Sequence, residues 1–480
     1  MLERFCRRAQ ITRAIINDYN IVFLHKCLYS AISDEVKEVK MTIALYRWNE
    51  TDQETQARIM RRAQADIDAV CKIVEPIIED VRVNGDAALR RYAKKFEGAE
   101  IENIKATPEE FTRAEENLND DLKAAIKRCA ANVDKFHVEQ MKRVEDRWMV
   151  EIEPGVWAGE QVNAIDSVGL YVPRGKGAFP SALYMLALPA VIAGVKTIAV
   201  VTPPTADGSI DDATLYTAKL CGIENVYKCG GAQGIAALGY GTESVPQVKK
   251  VLGPGSPYVA AAKRILSDIM DPGMPAGPSE SIVLADGSAD FDNTILDVLN
   301  EAEHGKDSGA LLVTHDEVLA KYVQENMPAV INSLPEKHRD ICAHVMAGVS
   351  NDMGDSYGGI ILTESLEASI AFSNAYAPEH LHLKIKGGEN YLDQLTHAGE
   401  ILIGEYTPSS LGNYGIGVNH VLPTGGNAHT YSCTSVWDFL KRTSISRCDK
   451  QGFESLKDAV CTMTDYENFP AHGEVLRRRN

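Results

Sequence analysis

Short β-rich runs alternate with helical stretches from residue 167 onward, and this alternation constrains the fold more than any other feature of the chain. Strands separated by single helices predict βαβ units and a mostly parallel sheet, so the predicted fold class is α/β. The predicted strands are residues 168–172, 197–202, 225–229, 250–252, 281–284 and 310–314. The predicted helices between them include residues 212–220, 233–238 and 294–304.

Glycine-rich segments lie beside these strands, at residues 173–177, 230–233, 253–256 and 276–279. Ligands of open parallel sheets bind at the carboxyl ends of the strands, so we expect a ligand site where these loops lie. No Gly-x-Gly-x-x-Gly motif opens a helix after a strand, so the ordinary dinucleotide fingerprint is absent. Glycine turns also serve as simple helix–strand connections, and both interpretations remain open.

The segment from residue 51 to about residue 142 has a helical pattern. Thr107 and Pro108, followed by two glutamates, predict a helix start with a threonine N-cap and proline in the first turn. Apolar residues then recur at three- and four-residue spacing and predict one helix face: Phe111, Ala114, Leu118, Leu122 and Ile126.

The net charge of −18 over 480 residues argues against nucleic acid as a main partner, because binding phosphates needs clustered lysine and arginine. No segment has about 20 uninterrupted apolar residues, so we expect no membrane span. The ten cysteines form no C-x-x-C pair, which argues against a disulfide framework and favours a reducing compartment. We therefore expect a cytoplasmic protein.

Residues 1–40 are rich in arginine and poor in acids near their start. This composition is compatible with an organellar transit peptide. We favour a non-homologous extension, and Met41 is an alternative start of the protein.

Two acid–histidine pairs are candidates for chemistry. Glu301 and His304 are three residues apart in a predicted helix, a spacing that lets a carboxylate and an imidazole chelate a metal. A solvated glutamate with a core or surface histidine is the alternative. Glu379 and His380 follow Pro378, and such a pair can take an alcohol proton and activate water. The alternative for His380 is a loop histidine held by a hydrogen bond.

Six motifs occur in a fixed order along the chain: residues 169–173, 230–233, 253–255, 276–280, 377–381 and 419–424. With these motifs the chain resembles the histidinol dehydrogenase family from about Met41 to its C-terminus. The resemblance implies two incomplete Rossmann-like domains, a helical N-terminal region and a homodimer with a swapped C-terminal tail. The implied division is 1–40 as an extension, 41–170 plus 281–434 as the first domain, 171–280 as the second domain with the NAD loops, and 435–480 as the tail that reaches the partner subunit.

The resemblance also implies roles for individual residues. His380 would be the general base, and Glu379 would activate water. Tyr171 and Gln233 would contact NAD, and Ser256 stands where the family has an NAD-contacting asparagine. The implied zinc ligands, which also face the substrate, are Glu301, His304, Asn413 and His472. The other implied substrate-site residues are Ser279, His380, His420 and Glu467.

Several positions depart from the family pattern. Glu301 and Asn413 replace a glutamine and an aspartate, an exchange that keeps one carboxylate and one amide for the zinc. Ser409 and Gly305 replace acids, which should weaken recognition of a cationic amino alcohol. Arg174 could favour an anionic group, or it is a solvent-exposed loop residue. The stretch around Gly305 resembles the branch that oxidises sulfopropanediol, whereas residues 419–424 and 438–442 resemble ordinary histidinol dehydrogenases.

The sequence therefore predicts a zinc-dependent NAD oxidoreductase that oxidises a small polar primary alcohol, through a bound aldehyde, to a carboxylate. The substrate need not be histidinol, and a genuine L-histidinol dehydrogenase of histidine biosynthesis is the first alternative. A metal-dependent hydrolase and a catalytically inactive homologue are alternatives of other classes.

Overall fold

The structure, a computed structural model, describes residues 41–62, 67–174, 177–349 and 356–479. The predictions about residues 1–40 lie outside the described residues. The strands are β1 Leu45–Arg47, β2 Arg147–Glu153, β3 Val156–Ala164, β4 Ser167–Tyr171, β5 Thr197–Thr202, β6 Val226–Lys228, β7 Lys250–Leu252, β8 Glu280–Ala285, β9 Gly309–Thr314, β10 Gly359–Leu362, β11 His380–Lys384, β12 Glu400–Ile403 and β13 Leu440–Cys448.

The α-helices are α1 Gln53–Arg61, α2 Ile67–Tyr92, α3 Pro108–Asn117, α4 Asp120–Met141, α5 Pro180–Ile192, α6 Asp212–Leu220, α7 Gly231–Tyr240, α8 Pro257–Ile265, α9 Phe291–Ala302, α10 Glu317–Ser333, α11 Glu336–Met346, α12 Leu366–Tyr376, α13 Ser409–Tyr414, α14 Lys450–Tyr466 and α15 Pro470–Arg477. A π-helix spans Ala93–Glu97, and 3₁₀ turns span Gly388–Gln394, Asn427–His429 and Val436–Phe439. None of the helices in the described ranges is both long and apolar enough to cross a bilayer.

Two parallel sheets form the framework. The larger has six strands in the order β1-β10-β9-β8-β11-β12, and the smaller has four in the order β6-β5-β4-β7. Every pairing within these two sheets is parallel. The predicted α/β class and all six predicted strands are confirmed, with boundaries within one residue or two.

The four-stranded sheet is covered on both faces, as its continuously apolar strands require. Leu170 and Val200 point into one buried cluster, which includes residues of α5 and α6. Tyr171 and Val201, their neighbours along the strands, point into another cluster with residues of α2, α7 and α8. This alternation of adjacent residues fixes the sheet in the middle of a layered core.

A third sheet is antiparallel and was not predicted. It has the order β13-β3-β2, with Leu440 opposite Ala164 and Cys448 opposite Val156. Nearly all residues of β2 and β13 are exposed or half-buried. The helices α14 and α15 follow β13 and pack on each other. Residues 435–479 therefore form a 3₁₀ turn, a strand and two helices at the end of the fold.

The helical region contains one correction. The capping box at Thr107 is present, with Glu110 completing it. However, the single apolar face predicted from Phe111 to Ile126 is wrong, because Leu118 has an extended backbone and Asn119 caps a second helix. Leu122 is consequently 37% exposed.

Candidate active site

Buried acids and a histidine meet at the amino edge of the six-stranded sheet. Glu280 begins β8, His380 begins β11 and Glu400 begins β12. The parallel register places His380 between Ser281 and Glu400. Glu379 directly precedes β11, and its side chain is buried with these residues. Strand pairing thus brings together acids that are distant in the sequence.

The imidazole of His380 lies between two carboxylates. Its Nδ1 is 2.9 Å from Glu400 Oε2, and its Nε2 is 3.9 Å from Glu379 Oε1. Burial lowers the pKa of His380, but the hydrogen bond with Glu400 and the charges of Glu379 and Glu301 raise it to about 9. One ring nitrogen is therefore hydrogen-bonded, while the other lies near Glu379 and makes no hydrogen bond within the described residues.

Glu379 is held by the neighbouring strand. Its Oε2 accepts a 3.0 Å hydrogen bond from the backbone N–H of Glu280. Burial raises the pKa of Glu379 well above its ordinary value, although the adjacent His380 opposes this shift. A carboxylate with raised proton affinity can take a proton from water, as a general base must.

Arg62 supplies a buried positive charge to the same cluster. Its Nη1 donates a 2.9 Å hydrogen bond to Glu280 Oε1, and its guanidinium lies 3.7 Å from the centre of the Tyr376 ring. Burial raises the pKa of Glu280 to about 7, while Arg62 opposes the shift. No local sequence pattern indicates a role for Arg62, Glu280 or Glu400, although Glu280 ends the motif at residues 276–280.

Glu301 and His304 are neighbours, as predicted, but they lie at a helix end. Helix α9 stops at Ala302, so the prediction of a helix through His304 is wrong by two residues. Glu301 is 2% exposed, and its Oε1 has no hydrogen-bond partner in the described structure. That oxygen is 3.5 Å from His304 Nδ1, and the His304 side chain is 43% exposed. A buried, unsatisfied carboxylate oxygen beside an accessible imidazole is compatible with a metal or substrate ligand.

Asn413 is carried by the short helix α13, which packs against α9. Ser410 Oγ donates a 3.0 Å hydrogen bond to Asn300 Oδ1 and ties the two helices together. Ser409 Oγ is 2.5 Å from His382 Nε2, so this position holds a neutral hydroxyl engaged by a histidine. The helix that carries Asn413 therefore packs against the helix that carries Glu301.

His420 completes this side of the cluster. Its buried Nε2 has no hydrogen-bond partner among the described residues. Burial and the charge of the nearby His380 lower the pKa of His420 to about 4, so its imidazole is neutral at physiological pH. Ser279 is half-buried immediately before Glu280, and its carbonyl accepts a hydrogen bond from Gly309 N–H.

The residues implied to contact NAD lie on the other parallel sheet. Tyr171 ends β4, and its hydroxyl accepts a 3.0 Å hydrogen bond from Gly231 N–H at the start of α7. Burial raises the pKa of Tyr171 to about 12, so the phenol is neutral. Gln233 is buried in the first turn of α7, and Ser256 caps α8 while remaining exposed. The glycine-rich loops after β4, β6 and β7 lie at the carboxyl ends of these strands, as expected. Glu379 and His380 lie at the amino end of β11.

Glu467 and His472 are exposed on the C-terminal helices. The His472 ring packs against Phe469, with ring centres 5.3 Å apart. Neither side chain has a hydrogen bond or ion pair with another residue in the described ranges. Within one chain, the other predicted site residues lie on or beside the two parallel sheets. Glu467 and His472 lie apart from them, on the C-terminal helices.

Known proteins resemble this chain over nearly its whole length. The family described as histidinol dehydrogenase matches residues 60–480. The chain belongs to the histidinol dehydrogenase family. Members of this family are NAD-dependent oxidoreductases that act on CH–OH groups. The resemblance seen in the sequence motifs is thereby confirmed.

Relatives with two kinds of name share this similarity. A "Histidinol dehydrogenase" of Synechocystis is 47% identical over 88% of this chain and 95% of its own. A "Histidinol dehydrogenase homolog" of Colwellia psychrerythraea is 44% identical over 90% of this chain and 96% of its own. The crystal structure of histidinol dehydrogenase from Elizabethkingia anophelis matches with a TM-score of 0.83 at 35% identity, covering 91% of this chain and 97% of that chain.

Proposed function

We propose that this protein is a zinc-dependent NAD oxidoreductase that oxidises a small polar primary alcohol, through a bound aldehyde, to a carboxylate. The observation that carries the proposal is the buried pair of Glu379 and His380, in which Glu400 engages His380 Nδ1 and leaves Nε2 without a hydrogen bond in the described structure. Two successive oxidations need one group that removes a hydroxyl proton and one that activates water. The pair supplies both.

His380 accepts the hydroxyl proton at Nε2 when the alcohol is oxidised. Glu379 then takes a proton from water, and the activated water adds to the aldehyde that is still bound. Once His380 has released its first proton to solvent, it removes a hydroxyl proton of the resulting hydrate in the second oxidation. Burial of both side chains keeps bulk water away from the aldehyde between the two steps.

NAD, when bound, would accept the hydride of the first oxidation, and a second NAD that replaces the first NADH would accept the hydride of the second. We assign Tyr171, Gln233 and Ser256 to its binding. The neutral phenol of Tyr171 lies beside the glycine turn at Gly231, where the backbone allows close approach of a ligand. Ser256 N–H lies at the start of α8, where backbone donors favour phosphate oxygens.

The residues present fit a zinc ion. We assign its ligands to Glu301, His304 and Asn413, with His472 supplied by the partner subunit. The unsatisfied Glu301 Oε1 supports this assignment, because a buried carboxylate oxygen without a donor suits a cation. Within the described residues no three or more His, Cys, Asp and Glu side chains are arranged for a metal. The proposed shell takes two such side chains and an amide from one chain. Zinc, when bound, orients the alcohol and favours loss of its proton.

The proposed substrate contacts are Ser279, His420 and, from the partner, Glu467, together with the metal ligands and His380. Arg174 Nη1 lies 3.2 Å from the Pro204 carbonyl oxygen, so its guanidinium is partly engaged. A genuine histidinol dehydrogenase is the second candidate, favoured by the name of the Synechocystis relative. Histidinol and a sulfonated diol are therefore the two substrates to compare first.

We further propose a cytoplasmic homodimer without nucleic-acid or membrane partners. Large apolar side chains are exposed on the implied tail, residues 435–480, and on β2, which lies in the same antiparallel sheet as the tail strand β13. In β2 these are Trp148, Met149, Val150 and Ile152, and on the C-terminal helices they are Met463, Phe469 and Val475. Such exposure is typical of a surface that another chain covers.

The decisive assay measures NADH formation by the purified protein with a panel of alcohols. The wild type is expected to reduce NAD with at least one of them, and His380→Ala to lose at least about 100-fold in turnover. His338→Ala, at a surface histidine paired with Glu303, is the matched control and should keep full activity. Undiminished turnover by His380→Ala would reject the assignment of the base, and an inert wild type would favour an inactive homologue.

Metal analysis tests the zinc assignment separately. We expect zinc bound in proportion to protein chains, and strongly reduced in Glu301→Ala. Zinc content unchanged by that substitution would place the metal elsewhere.

NAD binding measured by calorimetry distinguishes the oxidoreductase from a metal-dependent hydrolase.

A further inference from the structure

The first residue pair of β11 and β12 joins His380 to a second buried carboxylate. His380 and Glu400 are register partners in the parallel pairing, and Glu400 N–H donates a 3.0 Å hydrogen bond to the Glu379 carbonyl oxygen. The His380 Nδ1–Glu400 Oε2 distance is 2.9 Å. Both side chains are less than a tenth exposed. The sheet itself therefore sets the geometry of this contact.

We propose that Glu400 is the positioning residue of His380: it accepts the Nδ1 proton, fixes the ring, and so leaves Nε2 as the nitrogen that takes the substrate proton. This inference rests on the proposed role of His380 as the base. A carboxylate only accepts hydrogen bonds, so it selects the tautomer with hydrogen on Nδ1. It also stabilises the imidazolium that forms when Nε2 takes a proton.

None of the other titratable groups described near His380 is placed to accept the Nδ1 proton. Glu379 is 3.9 Å from Nε2, beyond hydrogen-bond distance, and Glu301 acts on the ring only through space. His382 is engaged with Ser409, and burial lowers the pKa values of both His382 and His420 so that they stay neutral. Glu400 is thus the carboxylate that contacts Nδ1.

A glycine makes room for the second oxygen of Glu400. Oε1 is buried without a hydrogen-bond partner in the described structure. A Cβ built on Gly412 would lie 2.9 Å from this oxygen, so a larger residue there would displace the carboxylate. Gly412 precedes Asn413, which links the position of Glu400 to the proposed metal-binding helix.

The test compares Glu400→Gln with the wild type, because glutamine has the same shape without the charge. We expect kcat to fall about 100-fold with KM changed less than about threefold, since a positioning residue acts on the substrate only through His380. The rise of kcat/KM with pH should shift to lower pH, because a neighbouring negative charge has been removed. Glu405→Gln is the matched control, since Glu405 lies beyond the other end of β12 and pairs with Lys384.

A second measurement does not depend on activity. In ¹⁵N-histidine NMR spectra, assigned by comparison with His380→Asn, neutral His380 is expected to carry its proton on Nδ1 in the wild type. In Glu400→Gln the glutamine amide can donate to Nδ1, so the Nε2-protonated form should appear. Glu400→Asp, which keeps the carboxylate, should recover at least about a tenth of the wild-type kcat and serves if Glu400→Gln does not fold.

An unchanged kcat together with an unchanged tautomer in folded Glu400→Gln would overturn the inference. If the wild type oxidises no alcohol, the proposed function fails, and the NMR result still decides whether Glu400 controls the His380 tautomer. The two failures are therefore distinguishable.

Discussion

At the scale of single residues, the site depends on acids that burial alone would disfavour. Glu280, Glu301, Glu379 and Glu400 are all buried or nearly so, close to Arg62 and His380. Sequence reasoning found Glu379 and His380 because they are adjacent in a motif. It missed Arg62 and Glu400 because their roles depend on contacts between segments 218 and 20 residues apart, which no local pattern reveals.

Activity should rise with pH through the alkaline range. His380 acts as a base only when neutral, and its surroundings raise its pKa to about 9. Below that value kcat/KM should increase roughly tenfold per pH unit, and above it the profile should level off. Steady-state rates between pH 6.5 and 10 measure this, and a flat profile below pH 8 would contradict the assigned base.

Removing Arg62 should destabilise the fold by about 3–5 kcal/mol, because it leaves the Glu280 charge buried without its partner. The loss measured by urea unfolding of Arg62→Met should be larger at pH 8.5 than at pH 6. The reason is that the pKa of Glu280 is raised to about 7 by burial, so acid neutralises the stranded carboxyl. Arg61→Met, at the exposed neighbouring position, should change stability by less than about 0.5 kcal/mol. Equal losses in the free energy of unfolding from Arg62→Met and Arg61→Met would show that the Arg62–Glu280 ion pair does not stabilise the fold.

At the scale of elements, the spacing of apolar residues predicted the strands of the two parallel sheets and the helices between those strands well. The failure between Phe111 and Ile126 has a local cause. Asn119 Oδ1 accepts a 2.7 Å hydrogen bond from Leu122 N–H, which starts a new helix within a continuous apolar repeat. Asparagine offers this bond to the backbone, and a count of apolar spacing does not register it.

Asn119→Ala should therefore reduce stability by about 1 kcal/mol through loss of the N-cap of α4. Asn119→Asp keeps an accepting oxygen and should leave stability nearly unchanged. Thermal unfolding of the two variants checks this, and an alanine variant as stable as the wild type would show that the cap is dispensable.

The position of the proposed catalytic pair, Glu379 and His380, does not follow from the rule that ligands bind at the carboxyl ends of parallel strands. The carboxyl-end rule was applied only to the glycine-rich loops, whereas His380 begins β11 at the amino edge of its sheet and Glu379 directly precedes it. The glycine loops after β4, β6 and β7 follow the rule. The site position depends on the strand order within each of the two parallel sheets. Local patterns in a single sequence do not reveal strand order.

At the scale of the whole molecule, the antiparallel sheet was missed because β13 and β3 are far apart in the sequence. Their pairing joins residues 440–448 to residues 156–164. The domain division inferred from the resemblance stays a prediction. Glu467 and His472, carried by the helices after β13, lie on exposed surface, as a contribution to a second subunit would require.

This arrangement predicts complementation between inactive variants. If each site combines His380 from one chain with His472 from the other, a dimer of His380→Ala and His472→Ala chains contains one intact site. Random mixing of the two chains should then restore about a quarter of the wild-type activity. Co-expression and assay of the mixture measures it. Activity no higher than that of either variant alone would mean that each site is built from a single chain.

The most direct test of the account is the amount of NADH formed for each molecule of alcohol consumed by the purified wild-type protein. Two oxidations in one site, served by His380 as base and Glu379 as water activator, predict two NADH and a carboxylate product. A single NADH with release of the aldehyde, or no NADH with any alcohol tested, would contradict it.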